Sequence, residues 1–443
     1  MAEILVGWLI VLGVSYWAAS LSGQFKRTVL IGLPVAGLLL LWIGRDLAPA
    51  IRLLASSLFM MYAIKGASST LDPMVSNGWR RLVAMFIWPG FDHEHFAEHA
   101  SPPAETAKRF LTGLLWMIVG GVTGLATAIW APSLGAATGW MGIASIIAFV
   151  HFGVSNILTS LLWLIGIPVR PLFENPLQSK SLRDFWGARW NIAFVEMDRR
   201  LFIRPLSRRF GLRGAVFGVF IISGLLHEMA ISYPSGGGWG TPLLYFCIQG
   251  LLVLAEKRFR FGGRIWTFFW VLAPLPILFH APFRERLILP LFLYLYQALV
   301  AHPLAWWFDK GLWVLGTLQL CVLLASFQVP GRLKWHEELP RLSPFNQKLM
   351  WTYGVTVAVT IAAFGVATLG LHANMLRGEP AALAIAGFAA VFWTFRLLCD
   401  AFYFRSEDWP AGVDLQIGHY LLNSLFVSLV VGYGALVVWR LAG

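Results

Sequence analysis

The chain has 443 residues, of which 58% are hydrophobic and only 13% charged, and its mean hydropathy is +0.69. Soluble chains carry about 25% charged residues, so a soluble globular protein is excluded and a polytopic membrane protein is expected. The net charge of +12 is assigned to the positive-inside rule and to anionic lipid or substrate, and no nucleic acid partner is expected.

The first apolar run, 4–21, has no basic residue ahead of it. Lys26 and Arg27 follow it, so it reads as a retained helix and not as a cleaved leader. Further runs long enough to span, or nearly so, lie at 28–47, 109–130, 139–167, 213–233, 240–256, 265–281, 286–301, 311–328, 350–371, 381–400 and 419–440, with a weaker one at 51–64. Such segments must be helices, because lipid offers backbone groups no water to bond, and the short alternating segments of a barrel are not visible. The expected fold class is therefore all-α. A composition change near residue 305 divides it into a core of about eight or nine segments over 1–305 and a C-terminal four-helix membrane bundle over 306–443.

The basic stretches Lys26–Arg27, 170–213 and Lys257–Arg264 are expected on the cytoplasmic side. The loop 330–348, with Arg332, Lys334, Arg341 and Lys348, asks for the same side. Simple counting of 265–281, 286–301 and 311–328 puts it on the other, so one of these three segments is expected to be re-entrant. His95 and His99 are spaced as a metal pair with Glu98 nearby, but Ala97 breaks the HExxH pattern begun by His93 and Glu94. A solvated loop without metal is expected there. Cys247, Cys321 and Cys399 all lie in apolar runs and read as packed hydrophobes. Arg396 and Asp400, four residues apart in an apolar run, read as an intramembrane ion pair. His280, His302, His372 and His419 stand at helix ends or in apolar runs without evident partners.

Chemistry concentrates between Ser181 and Glu228. Trp186 and Trp190 become i,i+4 neighbours if that stretch is helical, with Arg189 on the polar side and Asn191, both donor and acceptor, next in line. Arg199, Arg200, Arg204, Arg208, Arg209 and Arg213 follow; arginine forks match phosphate oxygens, and arginines also anchor interfacial helices. Within the next apolar run, Phe220, Ser223, Gly224, His227 and Ile231 fall on one stripe. Gly214 and Gly218 fall opposite, where a second helix is expected to pack. An ionisable residue in a spanning segment is a functional candidate by default, and the neutral imidazole favoured in lipid suits a general base. The small residues beside His227 leave room for a substrate chain, with a packing histidine as the plain alternative.

The run Phe185-Trp186-Gly187-Ala188-Arg189-Trp190-Asn191, followed 36 residues after Asn191 by a histidine in Ser223-Gly224-Leu225-Leu226-His227-Glu228, resembles the wax synthase-like branch of the membrane-bound O-acyltransferase (MBOAT) family. Trp88-Pro89-Gly90-Phe91-Asp92 is similar to a segment of bacterial members. The resemblance covers 30–305 in layout, is specific over 181–228, and leaves 306–443 without a role.

It implies an MBOAT-like helical core and transfer of an acyl group from acyl-CoA to the hydroxyl of a lipid or long-chain alcohol, with His227 as base and Asn191 orienting the acceptor or stabilising the oxyanion. Trp186, Arg189, Trp190, Ser223, Gly224, Arg204, Arg208 and Arg209 would then contact substrate. Acyl-CoA enters as co-substrate and no further cofactor or metal is implied. Acetyl transfer to a polysaccharide or other exported hydroxyl, and a transporter that relays protons through His227, remain alternatives. The Ala, Gly, Leu and Arg usage points to a bacterial inner membrane, and a homo-oligomer is compatible with the chain.

Overall fold

Among the described residues every regular element is a helix and none is a strand. The computed structural model describes residues 41–71, 78–91, 93–259, 262–404 and 412–442, with isolated positions before residue 41. Apart from those positions, the helix expected at 4–21, most of that at 28–47, the Lys26–Arg27 loop and Asp92 lie outside the described residues. The chain divides into two compact units, Met1–Gln297 and Ala298–Gly443.

The first unit holds α1 (Pro49–Leu71), α2 (Thr106–Leu134), α3 (Ala137–Leu164), α4 (Ile192–Asp198), α5 (Arg204–His227), α6 (Thr241–Phe259) and α7 (Arg264–Leu272); α8 (Leu289–Val300) runs across the division. Among the described residues, seven helical stretches are long and apolar enough to cross a membrane, including α2, α3 and the run Ile192–Ser235 that contains α4 and α5. The chain is thus a multi-pass integral membrane protein.

The packing is that of helices in lipid, with small residues inward and large apolar ones outward. On α2, Gly113, Gly120, Thr127, Ala128 and Ala131 are buried, while Leu115, Ile118, Val122, Leu125 and Ile129 are exposed. A Cβ on Gly120 would lie 2.5 Å from the Phe149 nitrogen of α3, so only glycine allows that approach.

The segment before α2 is held by a fully buried lysine. The Lys65 ammonium donates to the carbonyls of Ala84 (2.7 Å) and Met85 (3.2 Å), and to that of Trp88, at the end of the π-helical turn Val83–Ile87. These carbonyls lack helical partners and would be costly in an apolar setting without the cation. Trp88 and Phe91 of the Trp-Pro-Gly-Phe segment pack beside it in the core with Phe96, Trp163 and Met197.

The expected spans at 265–281 and 286–301 form a pair, Arg264–Leu278 and Ala281–Val300, bent by 71° at a short break. Counted as one broken crossing, the pair removes the conflict over the 330–348 loop.

The second unit consists of α9 (Leu304–Ser326), α10 (Pro344–Gly370), α11 (Pro380–Leu398) and α12 (Val413–Ala442) around one core that includes Leu312, Phe364, Trp393, Phe426 and Tyr433. The Trp393 indole donates to Gln319 at 2.9 Å, and Thr368 and Tyr433 share a hydroxyl bond of 2.7 Å. Arg396 and Asp400 pair at 3.6 Å as expected. His419 is not partnerless: it lies 3.3 Å from Asp400, which also accepts from Asn423 at 2.6 Å. His372 likewise meets Asp309 at 3.1 Å, and His302 stacks on Trp306 with ring centroids 4.0 Å apart. His372 and His419 take partners from other segments, which spacing along one helix does not reveal.

Candidate active site

The site is assembled from the loop 170–180, the turn that ends at Asn191, α5 and α6. Ser181 caps the short helix Leu182–Asp184 by accepting from the Asp184 N–H at 2.9 Å. A π-helical turn, Phe185–Arg189, follows. Asn191 then takes a left-handed conformation (φ 47°, ψ 59°) and starts α4, its side-chain oxygen accepting from the Phe194 N–H at 3.4 Å. The turn is pinned to the preceding loop by two backbone bonds, Ile192 N–H to Leu172 and Glu174 N–H to Arg189, each 2.9 Å.

This geometry changes the reading of the aromatic pair. The π-turn is wider than an α-turn and Trp190 lies beyond it in an extended conformation, so Trp186 and Trp190 do not form an i,i+4 pair. Trp186 turns toward α6, where its indole N–H donates to Gln249 at 3.0 Å and its ring lies 5.6 Å from Phe246. Trp190 turns toward α3 and is stacked between Phe185 (5.3 Å) and His151 (6.1 Å), with Phe152 and Phe173 at its edges. Arg189 is occupied in holding the turn. Its Nε donates to Asp184 at 2.8 Å and its Nη1 reaches the carbonyls of Glu174 and Asn175 at 3.3 Å.

The expected stripe faces inward: on α5 Phe220, Ser223 and Gly224 are buried and His227 is half-buried, and Ile231 is buried in the π-helical turn Glu228–Ser232 that follows. His227 Nδ1 lies 2.7 Å from the Ser223 carbonyl. A carbonyl can only accept, so Nδ1 carries the proton and Nε2 keeps its lone pair. Nε2 has no protein partner among the described residues. The imidazole sits 4.3 Å from the Phe246 ring of α6. Four ring contacts, through Phe246, Trp186, Phe185 and Trp190, therefore connect His227 to the residue before Asn191.

Gly224 does not border an open groove. A Cβ there would lie 2.8 Å from the Leu243 Cα, so its smallness serves the contact of α5 with α6. Gly214 and Gly218 meet Phe210 and Leu206 of their own chain segment instead of a second helix, because α5 breaks at Gly211 (φ 69°, ψ 171°) and folds its first turns back. Gly224→Val should accordingly destabilise the protein by about 1–3 kcal/mol through overpacking, read as a lower midpoint of thermal unfolding in detergent. An unchanged midpoint would show that α5 and α6 separate freely.

Three buried polar residues were not singled out by spacing. Glu228 accepts from the Gly240 and Leu243 N–H groups, both at 3.0 Å, at the start of α6. Its second oxygen is buried with no partner among the described residues. Gln249 and Glu256 are buried on α6; a polar residue inside an apolar run was the available signal. His151, half-buried in the π-helical stretch Ile147–Val154 of α3, was missed as well. His280 has partners after all. Its Nδ1 accepts from the Phe283 N–H, so Nε2–H donates to Ser232 at 3.2 Å. That proton position prevents His280 from acting as base toward Ser232, and its Nδ1 serves as the cap of the short helix Ala281–Phe283.

At the other loops, His95 pairs with Glu98 at 3.3 Å while His99 accepts from Arg80 at 3.3 Å, so the two histidines serve different partners. Arg204, Arg208 and Arg209 are exposed, without acidic partners among the described residues.

Residues 169–248, which include Asn191 and His227, match the model of the membrane bound O-acyl transferase family. A probable long-chain-alcohol O-fatty-acyltransferase of Arabidopsis thaliana is 33% identical over 113 residues, 23% of this chain and 33% of that protein. An acyl-CoA–sterol O-acyltransferase of the same plant is 34% identical over 113 residues, 23% of this chain and 32% of its own length. A long-chain-alcohol O-fatty-acyltransferase of Simmondsia chinensis is 34% identical over 77 residues, 16% of this chain and 22% of that protein. The chain thus spans about a third or less of the length of these relatives. The expected resemblance to the wax synthase-like branch of the family is met by these comparisons.

Proposed function

We propose that the chain is an O-acyltransferase that moves a fatty acyl group from acyl-CoA to the hydroxyl of a long-chain or other lipid alcohol, a reading supported by the match of residues 169–248, which include His227, to the membrane bound O-acyl transferase family. The observation that carries this reading is the bonding of His227. With Nδ1–H fixed on the Ser223 carbonyl at 2.7 Å, Nε2 is the basic nitrogen and is free to receive a proton.

In the proposed reaction Nε2 takes the acceptor's hydroxyl proton as its oxygen attacks the thioester carbonyl. The new C–O bond forms, the C–S bond breaks, and the departing thiolate recovers the proton from the imidazolium. Such a base contributes roughly 10²–10⁴-fold. Asn191 uses its side-chain oxygen as a cap, which leaves the amide N–H groups to donate to the developing oxyanion. Holding donor and acceptor together supplies the orientation term. Ser223 orients the base through its carbonyl, Gly224 sets the α5–α6 contact, and Trp186, Trp190 and Arg189 hold the turn that presents Asn191. No acyl-enzyme and no metal or further cofactor is needed.

Arg204, Arg208 and Arg209 form an exposed cationic surface that gathers the phosphorylated donor, on the cytoplasmic side of a bacterial inner membrane. Replacing all three by glutamine should raise the KM for acyl-CoA mainly at low salt, because exposed charges are screened at higher ionic strength. A KM that does not move at any salt would make them membrane anchors only.

The function itself is tested by thiol release from palmitoyl-CoA in proteoliposomes. Release that depends on added hexadecanol supports the reading, and release with acetyl-CoA alone would replace it by transfer of small acyl groups.

A further inference from the structure

Between the loop before Ser181 and the start of α7 lies an open recess of about 700 Å³, lined by Lys180, Gly262, Gly263, Arg264, Ile265 and Trp266. Its two sides are joined by the Gly263 N–H, which donates to the Lys180 carbonyl at 2.7 Å. A buried carboxylate braces it from behind. Glu256 accepts from the Leu182 N–H at 2.8 Å, the Arg183 N–H at 3.1 Å and the Trp266 indole N–H at 2.8 Å. The indole's polar edge is thereby fixed on Glu256 while Trp266 lines the recess.

The charge of the recess is not neutralised locally. Lys180 and Arg264 are exposed, and neither side chain has an acidic partner among the described residues. The nearby Asp184 is taken by the Arg189 Nε at 2.8 Å and the Lys180 N–H at 3.2 Å. Two unpaired cations beside an indole suit a ligand that combines phosphate with a flat aromatic base, as a nucleotide does.

The position along α6 fits a donor with a long arm. Phe246, which touches His227 at 4.3 Å, stands ten residues before Glu256 on this helix, an axial rise of roughly 15 Å. Trp186, bonded to Gln249, lies on the way. Residues 262–266 fall outside the range matched by the family model.

We propose that this recess seats the phosphorylated adenosine end of the acyl-CoA donor, with Lys180 and Arg264 on its phosphates and Trp266 against the adenine, while the arm runs along α6 toward His227. This rests on the acyl-CoA reading above.

The test compares palmitoyl-CoA with palmitoyl-pantetheine, a thioester that lacks the nucleotide, both with hexadecanol as acceptor. In the double variant Lys180→Ala, Arg264→Ala the KM for palmitoyl-CoA should rise about tenfold for each cation removed. Turnover and KM with palmitoyl-pantetheine should match wild type. An equal loss with both donors, or no change with either, overturns the assignment.

A second measurement separates it from the transfer reading. Labelled adenosine 3′,5′-bisphosphate should bind purified wild-type protein in equilibrium dialysis and fail to bind the double variant. Retained binding in the variant, or none in wild type, overturns the recess even if acyl transfer is found. Wild-type binding lost in the variant supports the recess, while absence of transfer from either thioester then counts against the acyltransferase reading alone.

Discussion

Replacing His227 by alanine should lower kcat for acyl transfer by about 10²–10⁴-fold, with little change in the KM for acyl-CoA. The direction follows from the tautomer. Nδ1 is committed to the Ser223 carbonyl at 2.7 Å, which turns the lone pair onto Nε2. Alanine removes the base and one ring contact with Phe246, but it leaves the α5–α6 packing at Gly224 intact. His227→Gln is the sharper variant, since its amide fills much of the ring's space without a comparable basicity. Both variants should insert and show wild-type thermal midpoints in detergent. A His227→Gln protein with wild-type kcat would remove His227 from the chemistry and leave it as a packing residue.

The second large effect is expected at Asn191, where two roles overlap. Its left-handed backbone (φ 47°) starts α4, and its amide N–H groups are the proposed oxyanion donors. Losing one such donor costs roughly 10²–10³-fold in kcat. Asn191→Gly keeps the backbone conformation at no steric cost; it removes the amide donors together with the cap on the Phe194 N–H, a cap loss that costs glycine only a few tenths of a kcal/mol. Asn191→Ala removes the amide and adds roughly 1–2 kcal/mol of left-handed strain. Equal losses of kcat in both variants, with a lower thermal midpoint only for alanine, are the expected result. Full activity of Asn191→Gly would show that the position is kept for its backbone alone.

Much of the architecture is legible in composition because lipid forces backbone groups to pair within each segment. The apolar runs at 109–130, 139–167, 350–371, 381–400 and 419–440 all appear as long helices. The inward stripe around His227 was also readable, since α5 keeps a regular period from Leu212 to His227. A period of 3.6 fails where the helix widens. The π-helical turns Phe185–Arg189 and Glu228–Ser232 lie beside Asn191 and His227, and Ile147–Val154 contains His151; such turns are frequent at functional sites. The first of them separates Trp186 from Trp190, which a regular helix would pair.

Glycine spacing misled for another reason. It cannot tell whether the facing atoms come from a second helix, as at Gly224, or from a folded-back segment, as at Gly214. Carboxylates such as Glu228 and Glu256 take their meaning from backbone N–H groups that sequence neighbours do not reveal.

Joining of a fatty acyl group to an alcohol is the reaction proposed for this chain. Thin-layer analysis of wild-type proteoliposomes given radiolabelled palmitoyl-CoA and hexadecanol tests it most directly. The expected result is a labelled band that migrates with hexadecyl palmitate and requires the alcohol. Folded, inserted protein that forms no ester with hexadecanol, with other long-chain alcohols or with sterols would contradict it.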